Sequence, residues 1–125
     1  MHRRSMWPVY RLLILCVVAT CVKFQAMAAA TSENNTLQWT QHCQQALAHH
    51  QAKEWAQALE DWKAALALRP ADSSVLYNMA CTEALMGEKA EAVACLRRAA
   101  EAGLLNFAQL GRDPDLAGVR TEAEF

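Results

Sequence analysis

The chain has 125 residues, of which 54% are hydrophobic and 20% carry a charge, and its formal net charge is −1. This composition is typical of a globular protein and excludes an intrinsically disordered chain. The length allows one domain at most.

The N-terminal part of the chain has the organisation of a secretory signal peptide. Arg3, Arg4 and Arg11 precede an apolar run over residues 12–22, and the small-residue stretch "AMAAA" follows it. This order predicts a signal peptide over residues 1–28 with cleavage after Ala28, and therefore an exported protein, periplasmic or secreted. The apolar run is shorter than the roughly 20 residues that a membrane-spanning helix needs, so a permanent transmembrane anchor is the weaker alternative.

Two other export signals are alternatives to this one. The stretch "VATC", which ends at Cys21, resembles the acylation box of a bacterial lipoprotein, although Thr20 stands where Gly, Ala or Ser is usual. Arg3 and Arg4 resemble a twin-arginine signal without its usual flanking residues. Cleavage after Ala28 would remove four basic residues and no acidic one. The mature domain would then be acidic, without the basic surface that binding to nucleic acid or to an anionic membrane requires.

Most of the remaining chain is predicted to be helical. Residues 29–38 are largely polar and predict a flexible segment, and helical spacing follows from Trp39 to Ala102. No stretch alternates at period two and β-branched residues are scarce, which leaves no candidate strand. We therefore expect an all-α fold. Its helix boundaries are predicted at Pro70, at an N-cap on Asp72 or Ser73, at a turn on Gly87 and at a C-cap on Gly103.

The sequence aligns with itself at a fixed spacing. The aligned pairs are small residues in three cases and large ones in a fourth: Ala46 with Ala80, Ala58 with Ala92, Ala65 with Ala99, and Trp62 with Leu96. Small residues at these positions would let two helices approach closely opposite bulky side chains. The spacing within each pair equals the period that is typical of the tetratricopeptide repeat.

Residues 39–106 resemble two tetratricopeptide repeats. The family's small residue, large residue and later proline correspond to Ala58, Trp62 and Pro70, and the stretch "VLYNMACTEALMGE" with its turn at Gly87 corresponds to the first helix of a repeat. Lys53 stands where the first repeat would have the turn glycine. The resemblance implies a short helical-repeat solenoid in which the aligned residues above pack the helices together. It also implies a concave partner-binding groove lined by Cys43, Leu47, His50, Ser74, Tyr77, Asn78, Cys81 and Leu85.

The last part of the chain, residues 107–125, resembles the end caps of bacterial tetratricopeptide proteins. Asp113 before Pro114 predicts an N-cap with proline in the first turn. Leu116 and Val119 would give the following short helix an apolar edge. Thr121 and Glu124 have the spacing of a capping box. We expect this part to form capping helices that cover the open end of the last repeat.

The sequence carries no nucleotide loop, nucleophile elbow, zinc-protease motif or paired C-x-x-C, so we expect neither an enzyme nor a bound cofactor. The cluster of His42, His49 and His50 is an alternative, as a metal or small-ligand site, because His42 and His49 lie seven apart on one helix face. The mature chain holds three cysteines, Cys43, Cys81 and Cys95, and a Cys43–Cys81 disulfide is a weaker alternative to buried free thiols.

These observations predict a non-catalytic adaptor or scaffold that binds a peptide or protein partner in the groove. The alternatives are the histidine-based ligand site and a structural homo-oligomer. The homo-oligomer would associate through Trp39 or the N-terminal helix, because two repeats bury little surface.

Overall fold

The computed structural model describes the backbone of residues 7–104 and 106–122. Within these residues the fold is all-α and contains no strand. In chain order the elements are α1 (Trp7–Gln51), α2 (Trp55–Leu68), α3 (Ser73–Met86), α4 (Lys89–Glu101), the short α5 (Phe107–Leu110) and a 3₁₀ turn (Pro114–Leu116). The chain divides into two compact units, Met1–Thr36 and Leu37–Phe125.

The described part of the first unit is helical from Trp7. Its described side chains are all exposed, including Val17, Val22, Phe24 and Met27. Among the described residues no helix is long and apolar enough to cross a membrane. Arg3 and Arg4 lie outside the described residues, and the signal peptide stays a prediction. Residues 29–38, expected to form a flexible segment, are helical and belong to α1.

The second unit is built around α3, which contacts α2, α4 and the 3₁₀ turn. Its largest fully buried side chains are Trp62, Leu76, Leu116, Val75, Val119 and Thr82. Every residue that the sequence assigned to packing between repeats is buried, and six of these are alanines with no exposed surface: Ala46, Ala58, Ala65, Ala80, Ala92 and Ala99. The absence of larger side chains at these positions lets the helix backbones approach closely.

Local sequence signals fix the ends of α3. Asp72 is its N-cap, and the carboxylate accepts hydrogen bonds from the backbone N–H groups of Ser74 and Val75 at 3.1 and 3.0 Å. This satisfies two of the amides that a helix N-terminus leaves unpaired. Gly87 ends the helix with φ +84°, a left-handed conformation that glycine adopts without strain. Both boundary predictions are therefore confirmed.

The turn after α1 has the same form as the turn after α3, and the two turns occupy aligned positions in the sequence. Lys53 has φ +61°, in the same left-handed region as Gly87. Glu54 N–H donates to the carbonyl of His49 at 2.9 Å, and Glu88 N–H donates to the carbonyl of Glu83 at 2.9 Å. The two turns thus share one backbone geometry, although one of them must place a lysine where glycine is favoured.

The predicted cap begins as the sequence indicates. Asp113 is the N-cap of the 3₁₀ turn, and its Oδ1 accepts from the backbone N–H of Asp115 at 3.0 Å. Leu116 and Val119 are fully buried. Because Leu116 and Val119 belong to the same core as Met79 and Ala80, this part of the chain packs on α3. Glu124, the second member of the proposed capping box, lies outside the described residues.

Candidate functional site

The predicted groove residues differ widely in accessibility. Leu47 is 45% exposed and Leu85 is 37% exposed, and Ser74 is exposed as well. Cys43, His50, Tyr77 and Asn78 are half-buried. Cys81 is only 3% exposed, so it is not part of an open surface.

The end of α1 contacts α3. His50 lies 3.1 Å from the Thr82 hydroxyl. Burial raises the pKa of the Cys43 thiol on α1, and the carboxylate of Asp72, the N-cap of α3, adds to this rise.

The end of the chain covers the part of α3 that the sequence assigned to the groove floor. We call residues 113–119 the C-terminal segment. The Tyr77 hydroxyl donates a hydrogen bond to Oδ2 of Asp113, and Nε2 of His50 lies 3.1 Å from Oδ2 of Asp115. These contacts join the segment to α3 and α1, and they explain why Cys81 is buried and why Tyr77 packs against the core.

Thr82 is the centre of a hydrogen-bonded junction that the sequence did not single out. Its hydroxyl donates to the backbone carbonyl of Asn78 at 3.0 Å and accepts from the indole N–H of Trp62 at 3.2 Å. Nδ1 of His50 lies 3.1 Å from the same oxygen. The donor and acceptor roles in this contact depend on the tautomer of His50. A threonine among apolar helix positions was the available signal.

The three histidines do not form one site. His42 and His49 each have a ring nitrogen 3.6 Å from a different carboxylate oxygen of Asp61, and Nδ1 of His49 lies 2.6 Å from Glu54. His50 contacts Thr82 and Asp115 instead. A pocket of about 430 Å³ opens beside the first pair and is lined by His49, Ala56, Gln57, Glu60 and Asp61.

The described cysteines are free thiols, and no disulfide joins Cys43 to Cys81. Burial raises the pKa of the Cys81 thiol to about 12, and the nearby carboxylates of Asp113 and Asp115 contribute to this rise. Burial also raises the pKa of Cys95 to about 12, with Glu83 as the next cause. Protonated thiols in such surroundings are weak nucleophiles.

Comparison with protein-family models, with curated proteins and with solved structures finds no match to this chain. A function for this chain must therefore be inferred from its own sequence and structure. Two features stand out on the second unit. One is the pair of exposed leucines, Leu47 on α1 and Leu85 on α3, and the other is the polar cluster at the C-terminal segment.

Proposed function

We propose that this protein is a non-catalytic interaction module that binds a peptide or protein segment. The binding face is the surface of α1 and α3 beside the C-terminal segment, and it is defined by Leu47, Ser74, Asn78 and Leu85. The observation that carries the proposal is the exposure of two leucines, Leu47 at 45% on α1 and Leu85 at 37% on α3, each of which directly follows a buried alanine of the core. Exposed apolar side chains beside polar ones are typical of a protein-binding surface.

The tetratricopeptide resemblance supports the same proposal. Its strongest support in the second unit is the repetition of one turn geometry at Lys53 and Gly87, with equivalent backbone hydrogen bonds. Ala58 and Ala92, which the same alignment pairs, are both fully buried. In an arrangement of two repeats and a cap, the first helices of the repeats would be α1 and α3, which are the helices of the proposed binding face.

The chemistry of this face favours a peptide over a charged small molecule. The leucines offer apolar contact, while the Asn78 amide offers two donors and an acceptor that can pair with a peptide backbone. Ser74 adds a hydroxyl that acts in either role. We expect the partner to place apolar side chains against Leu47 and Leu85 and its backbone near Asn78. The specificity would then come from the spacing of the partner's apolar side chains.

Site-specific photo-crosslinking in the native cells tests the binding face. A photoreactive amino acid replaces Leu47 in one full-length variant and Leu85 in another, and Gln57 on the exposed side of α2 serves as the control position. We expect both leucine positions to crosslink to the same protein, and the control position not to do so. The double variant Leu47→Asp with Leu85→Asp should lose capture of that protein, while circular dichroism shows unchanged helicity.

Tyr77 is unsuitable for this test, although the sequence places it in the groove. Its hydroxyl bonds to Asp113, so Tyr77→Ala would loosen the C-terminal segment as well as alter the surface. Asn78→Ala is the better companion variant and should weaken capture without changing the thermal midpoint. If the crosslinks come from Gln57 and not from either leucine, the binding face lies elsewhere and the proposal is wrong.

Export is a separate proposal that rests on the N-terminal pattern. We propose that residues 1–28 are a signal peptide and that the protein acts in the cell envelope or outside the cell. The mass of the protein recovered from its native host tests this, since cleavage after Ala28 leaves an unmodified chain that begins at Ala29. An acylated Cys21 as the first residue would identify a lipoprotein instead.

A further inference from the structure

The polar cluster under the C-terminal segment brings together side chains that are far apart in sequence. Cys81 lies on α3, Asp113 and Asp115 lie at the start of the 3₁₀ turn, and His50 lies at the end of α1. One ligand atom from each of Cys81, Asp113 and Asp115 lies within 4.8 Å of the other two, and this is the only such group of three or more among the described residues. Nε2 of His50 lies 3.1 Å from Oδ2 of Asp115.

The two ring nitrogens of His50 face different partners. Nδ1 lies 3.1 Å from the Thr82 hydroxyl, and Nε2 lies 3.1 Å from Oδ2 of Asp115. In the tautomer that carries its proton on Nδ1, the lone pair of Nε2 is on the side of the cluster, where a metal ion could accept it.

Residues around the cluster form hydrogen bonds with its members. The Thr82 hydroxyl forms a hydrogen bond with Nδ1 of His50 and so orients the ring. Tyr77 donates to one oxygen of Asp113, and the other oxygen of Asp113 accepts from the backbone N–H of Asp115. In metal sites, ligating histidines and carboxylates are oriented by hydrogen bonds of this kind.

We propose that His50, Cys81, Asp113 and Asp115 bind one divalent transition-metal ion, with Zn²⁺ as the best-suited ion. Sulfur, imidazole nitrogen and carboxylate oxygen together suit Zn²⁺, whereas Mg²⁺ and Ca²⁺ prefer oxygen ligands alone. A tetrahedral zinc ion holds its ligand atoms about 3.3 to 3.7 Å apart. The ligand atoms of Cys81, Asp113 and Asp115 lie within 4.8 Å of one another and His50 lies outside that group, so metal binding requires the three to contract and the imidazole to move toward them.

Metal binding here would have a structural consequence. The four ligands come from α1, from α3 and from the C-terminal segment, which are joined otherwise by hydrogen bonds and by the apolar contacts of Leu116 and Val119. A metal ion would cross-link these three parts of the second unit and neutralise the carboxylates beside the buried Cys81. The apparent stability of the unit should therefore rise with the concentration of free metal.

Titration of the purified, reduced full-length chain with Co²⁺ tests the proposal. Cobalt replaces zinc in tetrahedral sites, and a cysteine ligand produces a thiolate-to-cobalt charge-transfer band in the near ultraviolet. We expect this band to saturate at one ion per chain and to disappear when Zn²⁺ is added. Cys81→Ser should abolish the band, and Asp115→Asn should weaken Co²⁺ binding by about tenfold or more.

Two variants serve as matched controls. Cys43→Ser removes the half-buried thiol of α1, and His49→Asn removes the histidine beside Asp61, and neither residue belongs to the proposed site. Both should bind Co²⁺ with the affinity and spectrum of the wild type. Circular dichroism checks that Cys81→Ser is folded, and a Zn²⁺-dependent rise in the thermal midpoint of the wild type gives a second readout. A wild-type chain with no charge-transfer band, or a band that Cys43→Ser abolishes and Cys81→Ser does not, overturns the proposal.

Discussion

The substitution Thr82→Val removes one hydroxyl from the centre of the second unit and keeps the shape of the side chain. Thr82 has no exposed surface, and the indole of Trp62 that donates to it belongs to a residue that is 1% exposed. In the valine variant the indole N–H loses its acceptor and cannot reach water. A buried donor left in this state costs about 1 to 3 kcal/mol.

His50 adds a smaller loss, because its side chain is 21% exposed and water can replace part of the lost contact. The carbonyl of Asn78 should keep its place within α3, so its loss of the hydroxyl contact adds little. Together these terms predict a destabilisation of about 2 to 4 kcal/mol. For a unit of this size that corresponds to a fall of about 10 to 20 °C in the thermal midpoint.

Thermal and urea unfolding, followed by circular dichroism, measure the effect. Thr82→Ser is the control, because it keeps the hydroxyl and loses one buried methyl group, at a cost of about 1 kcal/mol. The same two substitutions are also made in a Trp62→Phe variant, which lacks the indole N–H. In that variant Thr82→Val should lower the free energy of unfolding by about 1 to 2 kcal/mol less than it does in the wild type. If the valine variant is as stable as the serine variant, Thr82 does not hold the junction and the reasoning is refuted.

Two further predictions concern the repeated turn and the buried carboxyl of α3. Lys53→Gly should raise the free energy of unfolding in urea by about 0.5 to 1 kcal/mol, because glycine adopts the left-handed φ of +61° without strain. Gly87→Ala should lower the free energy of unfolding, although a Cβ at Gly87 meets no atom within 4 Å. Equal effects of the two changes would contradict this reasoning. Burial raises the pKa of Glu83 above its ordinary value of 4.5, so the fold favours the neutral form and loses stability as the pH rises through the folded-state pKa. Glu83→Gln should therefore increase the thermal midpoint at neutral pH and lose this advantage below pH 4.5, and an increase that does not depend on pH would point to another cause.

The sequence by itself determined the local structure of the second unit. Helical spacing, the N-caps Asp72 and Asp113 and the turn at Gly87 are short-range signals, and the structure places each where the sequence predicts it. The alanines that align between the two halves of this unit were recognisable for the same reason, because burial of one helix face repeats every three or four positions. Residues 29–38 are helical although their polar composition predicted a flexible segment, because an exposed polar stretch is compatible with either structure.

Only the tertiary structure decided what covers the face of α3. The pattern placed Tyr77 and Cys81 on one stripe of a helix, but it could not show that residues 113–119 would pack there and bury Cys81. The adjacent histidines also contact different partners. His49 lies beside Asp61, whereas His50 contacts Thr82 and Asp115. Helical periodicity specifies which side of a helix is buried, whereas the partner on that side depends on how the connecting turns bring distant segments together.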